Sequence, residues 1–160
     1  MLERALKSLV RICTILGALA LAIMMLSTCW DIFARTTMNE PLHGVVEIVE
    51  IMVLATAMLG LPETFLRDEQ IKVDLLDNVF GAGVATVLKA FGLILSILFL
   101  AILTINVYGP MMDARMFGDI KPDLGLPVYP LYALIIFTFA ASILSCGATL
   151  ARLFTVKGAP

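Results

Sequence analysis

The sequence predicts an all-α membrane protein with four transmembrane helices, on three observations. Hydrophobic residues make up 61% of the 160 residues and charged residues only 15%, whereas a typical soluble domain has roughly 45–50% and about 25%. Charge-free runs reach the length of about 20 residues that a helix needs to cross a bilayer core. Those runs are apolar on every side and do not alternate, which excludes the strands of a membrane barrel.

The same composition excludes several classes of protein. A soluble globular enzyme of this length encloses too little volume to bury so many apolar side chains, and a disordered chain is far more polar. The net charge of −2 provides no basic surface for nucleic acid. Three cysteines, all in or at the ends of apolar runs, imply no disulfide framework.

We expect a single membrane domain over residues 1–160, with spans at about 9–30, 45–66, 84–108 and 129–151. Charge-free runs define the first, third and fourth spans. The second span reaches bilayer length only if Glu47, Glu50 and Glu63 lie near its ends. Small and hydroxylated residues inside the spans, such as Gly17 and Ser142, are expected to serve close helix packing and hydrogen bonds between helices.

The placement of Lys and Arg predicts the orientation. The amino terminus, the link between spans 2 and 3 with the start of span 3, and the carboxyl terminus together hold eight of these residues, and the two remaining links hold three. Because basic residues collect on the cytoplasmic side, both termini are expected in the cytoplasm. The links at 31–44 and 109–130 are then the outer links.

The second outer link contains four Pro and three Gly, which predict a shaped loop rather than a helix over 109–130. The first outer link, 31–44, is short and polar. Asp31 and Arg35, spaced i and i+4 within it, fit either an intrahelical ion pair or two solvated charges at a helix end.

The inner link predicts a short amphipathic helix lying in the membrane interface over residues 70–80. Ile71, Leu75 and Val79 fall on one helical stripe there. Gly81 and Gly83 are expected to end this helix, although a simple continuation of the third span fits the same period.

Few side chains could carry chemistry. His43, Glu47 and Glu50 share one helical face at the start of the second span, where they could bind a metal in a membrane enzyme or electron-transfer subunit, or relay protons. They could equally lie hydrated at the helix N-terminus, where the helix dipole favours acids. One histidine cannot supply a bis-histidine haem, and the set is smaller than that of a carboxylate-bridged di-iron bundle. We therefore expect no cofactor and no enzymatic activity.

The spans thus form the body of a transporter without a binding site, which indicates a subunit whose partner holds the site. A self-sufficient proton-coupled exporter, acting as a homo-oligomer through Glu47 or Glu50, is the alternative. Short motifs follow one another along nearly the whole chain: Arg35 and Asn39-Glu40-Pro41-Leu42, then Glu47, Leu59-Gly60, Gln70-Ile71-Lys72-Val73-Asp74 and Leu124-Gly125-Leu126-Pro127.

In this order and spacing, the motifs resemble the DctQ-type small membrane subunit of tripartite ATP-independent periplasmic (TRAP) transporters. Two positions depart from the family pattern. Gln70 stands where the family usually has a histidine, so this position cannot titrate. Val46 precedes Glu47, where members often carry a second polar residue.

The resemblance implies a multi-pass protein of the bacterial inner membrane that works with two partners. A large permease subunit carries the substrate and sodium sites, and a periplasmic binding protein delivers a small organic acid. The small subunit is a fixed scaffold, set in the lipid bilayer, that helps to form the outer docking surface. The candidate residues for the subunit interface or the outer surface are Asp31, Arg35, Asn39, Glu47 and Glu50, with Gln70 and Asp74 in the inner link and Gly125 and Pro127 in the outer loop.

Overall fold

A computed structural model describes residues 2–38, 44–66 and 74–156. These residues form four α-helices: α1 (Leu2–Met38), α2 (Val45–Leu66), α3 (Asp74–Phe117) and α4 (Tyr129–Val156). Each helix contains a stretch that is long enough and apolar enough to cross a membrane. For the described residues, the predicted all-helical fold with four membrane-length helices is confirmed.

Two helices run on into segments that were predicted to be links. α1 continues to Met38 and α3 to Phe117, so the prediction of a non-helical segment from Gly109 is wrong for residues 109–117. Pro110 removes only one backbone donor, a loss that membrane helices tolerate. α3 instead ends at Phe117, because the next residue, Gly118, has a φ of 68° that turns the chain out of the helix.

For the inner link, the described residues agree with the second of the two predicted arrangements, a continuation of the third span. Residues 74–80 are the first turns of α3 rather than a separate helix, and the predicted stop at Gly81 and Gly83 is wrong because α3 continues through both. A glycine inside a helix costs only about 0.5–1 kcal/mol relative to alanine. Asp74 is the first residue of α3, while Gln70 and residues 71–73 lie outside the described residues.

The helices pack in a row rather than in a closed bundle. α1 packs on α2, α2 on α4 and α4 on α3, with a small further contact between α1 and α4. Within the described ranges, no Cα atom of α3 lies within 8 Å of one in α1 or α2. Side chains of α2 such as Met58 and Phe65 still pack against the buried cluster that α3 and α4 form together. α4 is therefore the most enclosed helix, and α1 and α3 are the two edges of the row.

Small side chains fill the contacts between helices. Thr138, Ser142 and Ser145 of α4 are fully buried. Ser142 donates to Thr138 O at 2.7 Å and Ser145 to Ala141 O at 3.0 Å, both within α4. The prediction that these hydroxyls form hydrogen bonds to neighbouring helices is therefore wrong. Each donates to a carbonyl oxygen of α4 itself, and the small side chains let the neighbouring helices approach α4 closely.

Three other hydroxyls do cross between helices. Thr14 of α1 donates to Glu63 Oε2 of α2. Thr149 of α4 donates to Phe65 O of α2 at 2.9 Å, and Thr56 of α2 donates to Gly17 O of α1 at 3.2 Å. A Cβ atom added at Gly17 would lie 3.4 Å from Leu59 Cβ, so the two backbones approach closely. Gly17 therefore has the packing role that was predicted for it.

Candidate functional site

The α3–α4 loop, residues 118–128, is held in shape by its own backbone. Ile120 and Pro127 form an antiparallel bridge, and the Lys121 N–H donates to Leu126 O at 2.8 Å. Gly125, whose φ is 64°, donates its N–H to Lys121 O at 2.8 Å. The predicted shaped loop is thus present over this shorter range. The local backbone explains the residue types at the two motif positions of this loop. The positive φ at position 125 favours Gly, and the isolated bridge at position 127 tolerates Pro.

The junction of α3 with this loop is a helix cap of the Schellman type. The N–H of Asp119 donates to Ala114 O at 3.1 Å across Gly118, which has a positive φ. On the other side of the loop, the Val128 N–H donates to Asp119 O at 2.9 Å. The loop therefore leaves α3 and returns towards α4 through fixed hydrogen bonds.

Glu47, in the first turn of α2, fastens the loop to the rest of the protein. Its Oε1 accepts a hydrogen bond from the Asp123 N–H at 3.2 Å, and its Oε2 accepts one from the Leu124 N–H at 2.9 Å. The residue is only 8% exposed. Hydrogen bonds to a charged acceptor contribute about 1.5–3 kcal/mol, so Glu47 is the main polar link between α2 and the loop.

Gly44, immediately before α2, completes this junction. Its φ is 79°, and a Cβ atom there would lie 2.9 Å from Leu124 Cδ2. Its carbonyl oxygen accepts the Ile48 N–H at 3.0 Å and so starts the helix. Both the backbone conformation and the seated Leu124 side chain therefore require glycine at this position.

Glu50, one turn along α2, forms a second link to the loop. Its Oε2 lies 2.6 Å from Lys121 Nζ. The Glu50 side chain is 63% exposed and that of Lys121 18% exposed. An ion pair with so much water around its carboxylate contributes about 0–1 kcal/mol, so this link is weaker than that of Glu47.

Asp31 and Arg35 form the predicted ion pair within α1. Arg35 Nε lies 2.8 Å from Asp31 Oδ2. The Asp31 carboxylate is buried, whereas the Arg35 side chain is 55% exposed. The guanidinium group is therefore the accessible member of the pair. Asn39, the next candidate along the chain, lies outside the described residues.

Sequence reasoning missed a set of large apolar side chains around the α3–α4 loop. We call Met116, Phe117, Ile120 and Leu126 the apolar tip. Their exposed fractions are 78%, 79%, 59% and 48%. These apolar residues are visible in the sequence of the second outer link, between its Gly and Pro residues. The prediction of a shaped loop used only the Gly and Pro residues and so did not include them.

The proton-relay and metal hypotheses gain no support from this geometry. Glu47 and Glu50 both bind the α3–α4 loop. In the ranges that the structure describes, no three His, Cys, Asp or Glu residues are grouped so that they could hold a metal ion. His43 lies outside those ranges.

An open groove of about 400 Å³ lies on α3. It is lined by Leu95, Ser96, Leu98, Phe99 and Ile102. One hydroxyl among four apolar side chains suits a lipid acyl chain or an apolar helix better than an ionised solute. The groove is thus part of the apolar surface of α3.

One protein family matches most of this sequence. Its model, described as "Tripartite ATP-independent periplasmic transporters, DctQ component", matches residues 24–156. The chain belongs to the DctQ family. The match takes in α2, α3 and α4 whole, together with Glu47 and the α3–α4 loop. No curated protein matches the chain.

The family match confirms the resemblance drawn from the motifs. DctQ proteins are components of a transporter rather than enzymes. With four membrane-length helices, this DctQ chain is a multi-pass membrane protein and the small membrane component of a TRAP transporter.

Proposed function

We propose that this DctQ chain braces the large permease subunit of a sodium-driven TRAP transporter that imports a small organic acid. It also contributes to the surface on which the periplasmic binding protein docks. The assembly lies in the bacterial inner membrane with both termini of this chain in the cytoplasm. The substrate and sodium sites belong to the large subunit.

The row of helices is the observation that carries this proposal. An open row has two edge helices and two broad faces, and its edges expose large apolar side chains such as Leu19 and Leu26 of α1 and Phe99 and Ile105 of α3. Lipid can cover one side of such a row while an apolar partner covers another. A row is therefore suited to lying beside a neighbouring membrane protein.

The loop end of the row, where Glu47 meets the α3–α4 loop, supports the second half of the proposal. A docking surface has to keep its shape between encounters, since ordering a surface on binding reduces affinity. Glu47, Gly44 and the backbone bonds of the loop supply that fixed shape. The positive-inside count supports placing this end outside the cytoplasm.

Affinity purification tests the brace. This chain, tagged and expressed with the other two components, is expected to recover the large permease in equal amount from mild detergent. Deletion of this chain is expected to abolish uptake by cells, and a plasmid copy to restore it. An unrelated four-helix membrane protein with the same tag is the control. Recovery of this chain alone, with uptake unaffected by its deletion, contradicts the proposal.

Cysteine labelling tests the orientation. Asp119 in the α3–α4 loop and Lys7 near the amino terminus are both exposed. In intact spheroplasts, a membrane-impermeant maleimide is expected to label D119C and to spare K7C, and both are expected to react after permeabilisation. The parent protein is the control for its own three cysteines. Labelling of K7C alone in intact spheroplasts contradicts the orientation.

A further inference from the structure

The last turns of α3 extend further towards the α3–α4 loop end of the protein than the first residue of α4 does. Leu100 of α3 and Phe139 of α4 lie in one buried cluster between these antiparallel helices. Ten residues nearer the loop end are Pro110 on α3 and Tyr129, where α4 begins. α3 continues to Phe117, and at 1.5 Å per residue this adds about 10 Å. Met116 and Phe117, the helical part of the apolar tip, therefore lie beyond the level at which α4, an apolar span, begins.

The position of the apolar tip along the membrane normal decides whether lipid or another environment surrounds it. Side chains at the level of the spans are covered by lipid. Asp113, Arg115 and Asp119 are exposed on both sides of Phe117, and exposed charges are costly in the hydrocarbon core, so this segment lies outside the core. Phe117 is nevertheless 79% exposed and Met116 78% exposed. Large apolar side chains grouped on a protein surface outside the hydrocarbon core mark sites of interaction with other proteins or with the membrane interface.

The tip is held firmly rather than left loose. The cap at Gly118 fixes Phe117 against the loop, the bridge between Ile120 and Pro127 fixes the loop itself, and Glu47 fixes the loop to α2. A partner that binds here loses little conformational entropy in ordering the surface.

The rim of the tip is acidic. Asp113, Asp119 and Asp123 are exposed and lie within three residues of a member of the tip in the sequence, as does one exposed base, Arg115. A polar, charged rim around an apolar centre is typical of interfaces that form and separate in water. A partner that docks and leaves would need an apolar patch bordered by basic side chains.

We propose that the apolar tip is a docking patch for the water-soluble binding protein, which contacts Phe117 and Ile120 with apolar side chains and the acidic rim with Lys or Arg. This inference rests on the proposed function. It goes further by giving the patch its residues and the partner its chemistry. Glu47 acts as a positioning residue, because it holds the loop without facing the partner.

Titration of the binding protein against this chain and the large permease, held together in nanodiscs, tests the patch. F117S and I120S are expected to weaken binding by at least about tenfold, as for residues at the centre of an interface. F33S is the matched control, because Phe33 is 60% exposed at the same end of α1 but lies outside the tip. Its effect is expected to stay below about twofold.

Salt gives a second readout. Wild-type binding is expected to weaken as salt rises from about 50 to about 200 mM, because the rim charges are screened. This dependence is expected to be smaller in D119N. A salt dependence that D119N leaves unchanged removes the rim from the proposal.

Recovery of the large permease separates this inference from the proposed function. If wild-type protein recovers no permease, the proposed function has failed. If the tip variants recover it and bind the binding protein as tightly as wild type, or if F33S weakens docking equally, the docking patch is wrong. If the tip variants lose the permease instead, the tip is a subunit interface and the inference is again overturned.

Discussion

The packed face of α4 and the exposed face of α1 lie in the same membrane and have opposite compositions. Thr138, Ser142 and Ser145 are fully buried between helices, whereas Leu19 and Leu26 of α1 are 54% and 71% exposed. In water the larger apolar residues would be inside. Lipid tails are as apolar as leucine, so helix association here depends on close approach, which small side chains permit.

The largest test of this comparison adds bulk to the packed face. S142L is expected to lower the stability of the protein by about 3 kcal/mol, because a fully buried site has no room for the longer side chain. The midpoint of thermal unfolding in detergent measures the effect. A140L places the same side chain on the exposed face of α4 and is expected to leave the midpoint unchanged. Equal losses in the two variants would show that the faces do not differ.

A second test compares the two acids of α2. E47Q is expected to cost about 2 kcal/mol, because it removes the charge that accepts the Asp123 and Leu124 N–H groups. Faster hydrogen exchange at those two amides measures the release of the loop. E50Q breaks an ion pair whose carboxylate is largely exposed and is expected to cost less than about 1 kcal/mol. If E50Q frees the loop as much as E47Q does, the ranking of the two links is wrong.

The smallest test concerns a single hydrogen bond between helices. T56V removes the bond from Thr56 to Gly17 O and keeps the shape of the side chain. The expected loss is about 0.6 kcal/mol, in line with other bonds between membrane helices. T28V removes a bond to Met24 O within α1 on an exposed side chain, and its unfolding midpoint is expected to equal that of wild type. A larger effect for T28V would reverse the expected order.

The helices were predictable because their signal is local. Charge-free runs and the absence of alternation indicated four membrane-length helices, and the acids at the start of α2 were expected at that helix end. The ion pair of Asp31 with Arg35 depends only on a spacing of four residues. Features that need no more than neighbouring positions can be inferred from one sequence.

The contacts of Glu47 were not predictable in the same way. Its two partners lie 76 and 77 residues further along the chain and bind through backbone N–H groups, so no residue type marks them. The row order of the helices likewise depends on which small-residue faces meet. The end of α3 was misplaced because Pro110 and Gly109 were interpreted as breakers, although the positive φ that ends the helix is at Gly118.

Reconstitution into sealed vesicles tests the central claim most directly, namely that this chain braces a transporter and moves no solute itself. With the large permease and the binding protein present, uptake of the radiolabelled organic acid that the binding protein binds is expected to follow an imposed sodium gradient and to stop when this chain is omitted. Vesicles that contain this chain alone are expected to take up nothing. Transport of that acid by this chain alone, or full transport without it, would contradict the account.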